Sequence, residues 1–265
     1  MYFTIKLLNY NIFYLFQQIK CINKSEDLNT YLVSIGLPAN IQLSISIETL
    51  FLLTNKQLIY TFYQDADAHL KELKPISLVF VDILQRLCII KRGRMCYEHE
   101  LLLYYVLKHL GFYVELIRCY VQEVGPYNPD YPTTHNFLHV TIKDEIFLIY
   151  IGFEIRSLRF PIKVDFQNLS VSYDLFPFEH FRITENETLY QLEHVIDGKW
   201  SEEIIGYRFV KIRNMEKFNI FDFELNNNLQ LSKKSMYLSL QTMKNLKTNS
   251  ICFIHDIISK ATYLN

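Results

Sequence analysis

The 265-residue chain is predicted to have an α+β fold, with helices in its first part and strands in its second. Apolar residues recur at helical spacing over residues 25–36, 45–58, 77–89 and 101–110. From residue 112 onward, β-branched and aromatic runs dominate, at residues 112–122, 136–142, 146–151, 188–195 and 204–212. A run of helices followed by a run of strands is typical of an α+β fold.

The segment before the first predicted helix needs a separate interpretation. Residues 7–16 are apolar, but Asn9 and Asn11 interrupt the run and no small-residue cleavage motif follows it. The run is also too short to cross a bilayer, and no other segment is long and apolar enough to do so. We therefore predict that residues 1–23 form an extra amphipathic helix or an ill-ordered extension. The first core helix then begins at Ser25, which can cap its N-terminus.

Charge and cysteine content exclude several functions. There are 27 basic and 28 acidic residues, so the formal net charge of −1 predicts no affinity for nucleic acid or an anionic membrane. The five cysteines are odd in number and show no Cys-x-x-Cys spacing, which predicts a reducing, cytoplasmic location without disulfides or a zinc site. His135 and His139 share a strand face, but no further ligand completes a metal site, so a packed or hydrogen-bonded His139 is favoured.

The helix predicted before the strands carries a candidate nucleophile at its first turn. Cys96 precedes the apolar-periodic run, and the basic residues Arg92 and Arg94 lie just before it. Unpaired backbone N–H groups and the helix dipole favour a thiolate at such a position. The alternative is a small buried hydrophobic residue, which is the usual state of a free cysteine. On the first hypothesis, Cys96 is the most reactive of the five thiols near neutral pH.

Two of the predicted strands form a hairpin that brings a histidine and a tyrosine together. If residues 143–144 form a two-residue loop, Ile142 lies opposite Glu145. The same register pairs Phe137 with Tyr150 and His135 with Gly152. His135 and Tyr150 then share one face as diagonal neighbours, about 7–8 Å apart at the backbone. A helix-start cysteine, a strand histidine and a polar third group are the usual parts of an activated thiol nucleophile.

At these residues the chain resembles the arylamine N-acetyltransferase family. That family carries its nucleophile in an Arg-Gly-Gly-x-Cys-x-Glu segment, its base in His-x-x-Leu-x-Val, and its third member in Val-Asp-x-Gly-Phe-Gly. The corresponding segments here are Arg92-Gly93-Arg94-Met95-Cys96-Tyr97-Glu98, His135-Asn136-Phe137-Leu138-His139-Val140 and Ile149-Tyr150-Ile151-Gly152-Phe153-Glu154. The resemblance covers most of residues 24–225.

The resemblance implies a cysteine-protease-like core in three regions. A helical bundle over residues 24–110 supplies the nucleophile, a β-barrel over 111–200 supplies His135 and position 150, and a shortened α/β lid occupies 201–265. The implied catalytic residues are Cys96, His135 and Tyr150. The implied substrate contacts are Phe62, Tyr97 and Phe153, and the implied contacts to the acyl donor are Thr134 and Gly152.

The departures from the family pattern fall inside the site. Tyr150 replaces the aspartate, Arg94 replaces the second glycine, and Glu154 replaces the last one. A neutral phenol can only hydrogen-bond to an imidazole, whereas a carboxylate also stabilises its charged form. The carboxylates nearest by sequence are Glu98, Asp144 and Glu154, but Asp144 is placed in the turn and Glu154 beyond the strand. The family's Pro-Phe-Glu-Asn corresponds at best to Thr61-Phe62-Tyr63-Gln64.

The resemblance implies an acyltransferase that uses acetyl-CoA or another short acyl-CoA. The Cys96 thiolate attacks the donor thioester, His135 shuttles the proton, and an arylamine, hydrazine or hydroxylamine takes the acyl group in a ping-pong reaction. Two alternatives remain open. The protein is a weakened or inactive relative that acts by binding, or it is a thiol hydrolase or deamidase that passes the acyl group to water. The acceptor, the acyl length and the oligomeric state are not fixed by the sequence.

Overall fold

The computed structural model describes residues 25–64, 79–93, 96–122, 135–152, 158–169, 172–176, 179–185, 189–196, 199–200 and 206–210. The helices are α1 (Ser25–Ser34), α2 (Ile47–Tyr60), α3 (Phe80–Leu84), which continues as a π-helical turn (Gln85–Ile89), and α4 (Cys96–His109). The strands are β1 (Tyr113–Gln122), β2 (His135–Ile142), β3 (Glu145–Ile149), β4 (Ile162–Val164), β5 (Ser172–Phe176), β6 (Glu179–Glu185), β7 (Leu189–Ile196), β8 (Lys199–Trp200) and β9 (Gly206–Val210). The predicted extension 1–23 and residues 211–265 of the predicted lid lie outside the described residues.

Local sequence explains where the helices of the bundle begin and end. The Ser46 hydroxyl accepts a hydrogen bond from the Thr49 backbone N–H at 3.2 Å and so caps α2. The helix ends where Thr61 turns to an extended conformation. The predicted helix at 77–89 is observed as α3 and its π-helical turn. Helix α4 begins at Cys96, so the prediction that Cys96 lies in its first turn is confirmed.

The strands form one antiparallel sheet in the order β4-β3-β2-β1-β9-β7-β6-β5, with β8 paired to β7. Strand β9 lies between β1 and β7, so Gly206–Val210 is part of the sheet although it follows residue 200, where we predict the barrel region to end. Among the described strands, the edge strands β4 and β5 do not pair with each other, and the sheet path is open.

The predicted hairpin register is confirmed. Ile142 lies opposite Glu145, and the register continues to the pair Leu138 and Ile149. Lys143 adopts a left-handed conformation, with φ of 56°, as a tight two-residue turn requires.

The two faces of the sheet contribute to two separate apolar cores. Alternate residues of β2 and β3, such as Val140 and Ile149, pack against the helical bundle. The residues between them, such as Phe137 and Leu148, pack on the other face with residues of β6 and β7. Helices on one side of an antiparallel sheet confirm the predicted α+β class. No helix among the described residues is long and apolar enough to cross a membrane.

Candidate active site

The first turn of α4 lies against the chain segment that follows β3. A Cβ atom added at Gly152 would lie 2.7 Å from the Cys96 carbonyl oxygen and 2.8 Å from the Cys96 Cα. Real Cβ atoms do not approach other atoms so closely, which means that only glycine allows this contact without a shift of the backbone. The structure therefore brings the predicted nucleophile together with the segment that follows β3, which contains position 150.

The surroundings of Cys96 do not favour its ionisation, contrary to the prediction from its helix-start position. Its side chain is buried, and burial raises the pKa of the thiol to about 12. Hydrogen bonds from the backbone of Tyr97 and of Cys96 itself lower this pKa, but the charges of Glu100 and Glu98 raise it again. The helix N-terminus thus acts as expected, but desolvation outweighs it. Burial likewise raises the pKa of Cys88 to about 11, so resting ionisation does not single out Cys96.

Tyr150 lies on the face that the hairpin register predicts. It is fully buried, and its ring stacks on that of Phe137 with the centroids 4.5 Å apart. The carbonyl of Tyr150 accepts a hydrogen bond of 2.6 Å from the Leu158 N–H, which fixes the backbone where β3 ends. The backbone of His135 begins β2 opposite Cys119, and the side chain of His135 lies outside the described part of the structure.

A carboxyl group that the sequence analysis did not identify lies at this junction. Glu100, one helical turn after Cys96, is fully buried on α4. Its Oε1 accepts hydrogen bonds from the backbone N–H groups of Ile151 at 2.6 Å and Gly152 at 3.0 Å. Burial raises the pKa of Glu100 to about 8, and the two backbone hydrogen bonds oppose the rise. The available signal was an acidic residue four positions after the candidate nucleophile, directly before the apolar run that begins at Leu101.

The segment after α2 lies against the loop that precedes Cys96. A Cβ atom at Gly93 would lie 2.6 Å from the Phe62 carbonyl oxygen, and Gly93 has a φ of 80°. The Gln64 side-chain amide donates to the Gly93 carbonyl at 3.3 Å. These contacts place the backbone of Phe62, a predicted substrate contact, against Gly93, three residues before Cys96 in the sequence. Phe62 and Tyr97 are each partly exposed, whereas the predicted Thr134, Phe153 and Arg94 lie outside the described residues.

A second buried polar residue of α4, His99, fixes that segment. Its Nε2 lies 3.1 Å from the Phe62 carbonyl oxygen, which can only accept, so Nε2 carries a proton. The Gln57 amide donates to the His99 carbonyl at 2.8 Å, and the Tyr31 hydroxyl donates to Gln57 Oε1 at 2.9 Å. These contacts link α1, α2 and α4. Sequence reasoning missed His99 because all its partners come from distant segments.

Three further candidates named from the sequence are His139, Asp144 and Glu98. His139 is buried, its Nδ1 lies 3.5 Å from Glu115 Oε2, and burial lowers its pKa, which favours the neutral ring. Within the described ranges, no three His, Cys, Asp or Glu side chains are grouped as metal ligands. Asp144 is exposed in the turn. Glu98 is buried, and its Oε1 lies 4.0 Å from Nη1 of Arg86.

Comparison with known proteins assigns the family. The sequence model of a family described as N-acetyltransferase matches residues 46–259, which is most of the chain. The chain belongs to the arylamine N-acetyltransferase family. A curated arylamine N-acetyltransferase of Mycolicibacterium smegmatis is 32% identical over 113 residues, a match that covers 42% of this chain and 40% of that relative.

Solved structures of the family show the same fold. The M. smegmatis arylamine N-acetyltransferase is 27% identical, with a TM-score of 0.63 over 80% of this chain and 70% of that one. The enzyme of Mycobacterium marinum, solved in complex with CoA, is 21% identical, with a TM-score of 0.61 over 75% of this chain and 69% of that one. The cysteine-protease-like α+β fold implied by the motifs is therefore confirmed.

Proposed function

We propose that this protein transfers an acetyl or other short acyl group from acyl-CoA to an arylamine, hydrazine or hydroxylamine through a thioester on Cys96. The observation that carries the proposal is the contact between Cys96, at the first turn of α4, and Gly152, in the segment that follows β3 and contains position 150. Family membership and the CoA complex of the M. marinum relative support acyl-CoA as the donor.

The raised pKa of Cys96 means that a base must take the thiol proton during the attack on the donor. Because the resting thiol is neutral, His135 accepts the proton as Sγ attacks the donor carbonyl carbon. The carbonyl oxygen becomes an oxyanion, which backbone N–H groups at a helix N-terminus can stabilise. The C–S bond to CoA then breaks, CoA leaves with the proton from the imidazolium, and the acyl group stays on Cys96.

The second half of the reaction repeats these steps with the acceptor. The acceptor nitrogen attacks the Cys96 thioester while His135 takes its proton, and the proton returns to Sγ as the C–S bond breaks. In this proposal Tyr150 orients His135, and Phe62, Tyr97 and Phe153 contact the acceptor. Thr134 and Gly152 contact the acyl donor. The N–H of Gly152 already donates to Glu100, so the proposed contact uses its carbonyl or its lack of a side chain.

The regional organisation and the location of the protein belong to the same proposal. In this proposal residues 24–110 form the bundle, the barrel strands extend past residue 200 to include β9, and a shortened α/β lid follows them. The cysteine pattern supports a cytoplasmic location.

Two-substrate kinetics test this function. CoA release is measured while acetyl-CoA is varied at several fixed concentrations of an arylamine, with Cys96→Ser as the inactive control. Parallel lines in double-reciprocal plots support a covalent intermediate, whereas intersecting lines contradict it. Fast CoA release without any amine would instead identify a hydrolase. Binding of acetyl-CoA with no release would identify an inactive relative.

A further inference from the structure

The carboxyl group of Glu100 has a geometry that its burial alone does not explain. Both hydrogen bonds to Oε1 come from consecutive backbone N–H groups, those of Ile151 and Gly152, at 2.6 and 3.0 Å. Oε2 is also buried and has no hydrogen-bond partner within the described residues. Burial of a carboxyl group costs free energy unless hydrogen bonds replace its lost hydration, so this arrangement needs an explanation.

The two residues held by Glu100 are placed where the site is assembled. Gly152 lies on the Cys96 backbone, and Ile151 directly follows Tyr150. Glu100 itself is four residues after Cys96, on the same face of α4. One side chain therefore connects the helix that carries the nucleophile to the segment after β3 that contains position 150.

We propose that Glu100 is a positioning residue that holds the Ile151–Gly152 backbone, and with it Tyr150, against the first turn of α4. The role rests on the proposed acyl transfer, which needs Cys96 and its proton acceptor in a fixed relation. Glu100 acts as a hydrogen-bond acceptor, since a carbonyl-type oxygen at the Oε1 position is what the two N–H groups require. Its negative charge is not needed for this role.

Two substitutions separate the acceptor from the charge. Glu100→Gln keeps a side-chain oxygen at nearly the same position and removes the ionisable group, whereas Glu100→Leu keeps the approximate size and removes the acceptor. Glu193→Ala is the matched control. Glu193 is another buried glutamate, on β7, and accepts hydrogen bonds from Arg182, Thr184 and Gln191.

The first measurement is amide hydrogen exchange of the segment that contains Ile151 and Gly152, and it does not depend on activity. We expect Glu100→Leu to lose the slow exchange of these two amides, and Glu100→Gln and Glu193→Ala to keep it. Unchanged protection in Glu100→Leu overturns the proposal, whether or not the protein transfers acyl groups.

The second measurement is the rate of Cys96 acetylation by acetyl-CoA, followed by intact mass. We expect Glu100→Leu to acetylate about 10- to 100-fold more slowly at saturating donor, with the half-saturating donor concentration unchanged within about threefold. Glu100→Gln and Glu193→Ala should stay within about threefold of the wild type. Equal slowing in Glu100→Gln and Glu100→Leu overturns the acceptor role. If the wild type forms no thioester, the proposed function fails, and hydrogen exchange alone decides whether Glu100 positions the segment.

Discussion

Gly152 packs directly on the backbone of Cys96, so closely that no other residue fits there without a shift. This contact joins two segments more than fifty residues apart in sequence. It explains why a glycine follows the strand of Tyr150 at this point, and it gives the first prediction.

Gly152→Ala should lower activity because the added methyl group pushes the strand end away from the nucleophile. We expect kcat to fall about 100-fold and the free energy of unfolding to fall by about 1–3 kcal/mol. Gly111→Ala is the control for a loss of stability alone, since Gly111 has a φ of 90° and an alanine there is strained by about 1–3 kcal/mol. Steady-state kinetics and urea unfolding measure both effects. A folded Gly152→Ala variant with normal kcat contradicts the proposed arrangement.

Tyr150→Phe tests the hydroxyl at the position where the family has an aspartate. The stacking on Phe137 is retained, so folding should survive. If the hydroxyl orients His135, acyl transfer should fall about 10- to 100-fold, which corresponds to about 1.4–2.7 kcal/mol. Tyr190→Phe, in the same core and packed on Phe166, should keep full activity. Equal activity of the Tyr150→Phe and wild-type proteins would show that another group orients the base.

Replacement of the two histidines of β2 should have very different effects on kcat/KM. His135→Ala should lower kcat/KM by about 10²- to 10⁴-fold, the usual contribution of a general base, because the Cys96 thiol is neutral at rest. His139→Ala should change kcat/KM by less than about threefold, since His139 pairs only with Glu115 among the described residues. Equal losses in the two variants would mean that the wrong histidine has been assigned.

The hairpin and the place of Cys96 could be predicted from the sequence, whereas the electrostatics of the site could not. The loop at residues 143–144 and the alternation of strand side chains fix the register, so the face of Tyr150 follows from local rules. The pKa of Cys96 depends on depth of burial, which is a tertiary property. Glu100 was missed for the same reason, because its partners, the N–H groups of Ile151 and Gly152, lie more than fifty residues away.

The raised pKa of Glu100 should make stability depend on pH. The pKa is about 8 in the folded protein and 4.5 by reference, so the folded state binds more protons than the unfolded state between these values. The stabilisation is complete below pH 4.5 and is lost as the pH rises through 8. At about 1.4 kcal/mol per pKa unit, the total is several kcal/mol.

Urea unfolding from pH 5 to 8 should therefore show that the free energy of unfolding falls more steeply for the wild type than for Glu100→Gln. Parallel pH profiles of the two proteins contradict a shifted Glu100.

Intact mass after incubation with acetyl-CoA, without an acceptor, tests the central claim most directly. The wild type should gain the mass of one acetyl group. Cys88→Ala should gain it too, because Cys88 is a buried thiol outside the proposed site. Cys96→Ala should gain nothing. No mass gain in the wild type, or an equal gain in Cys96→Ala, would contradict a thioester on Cys96.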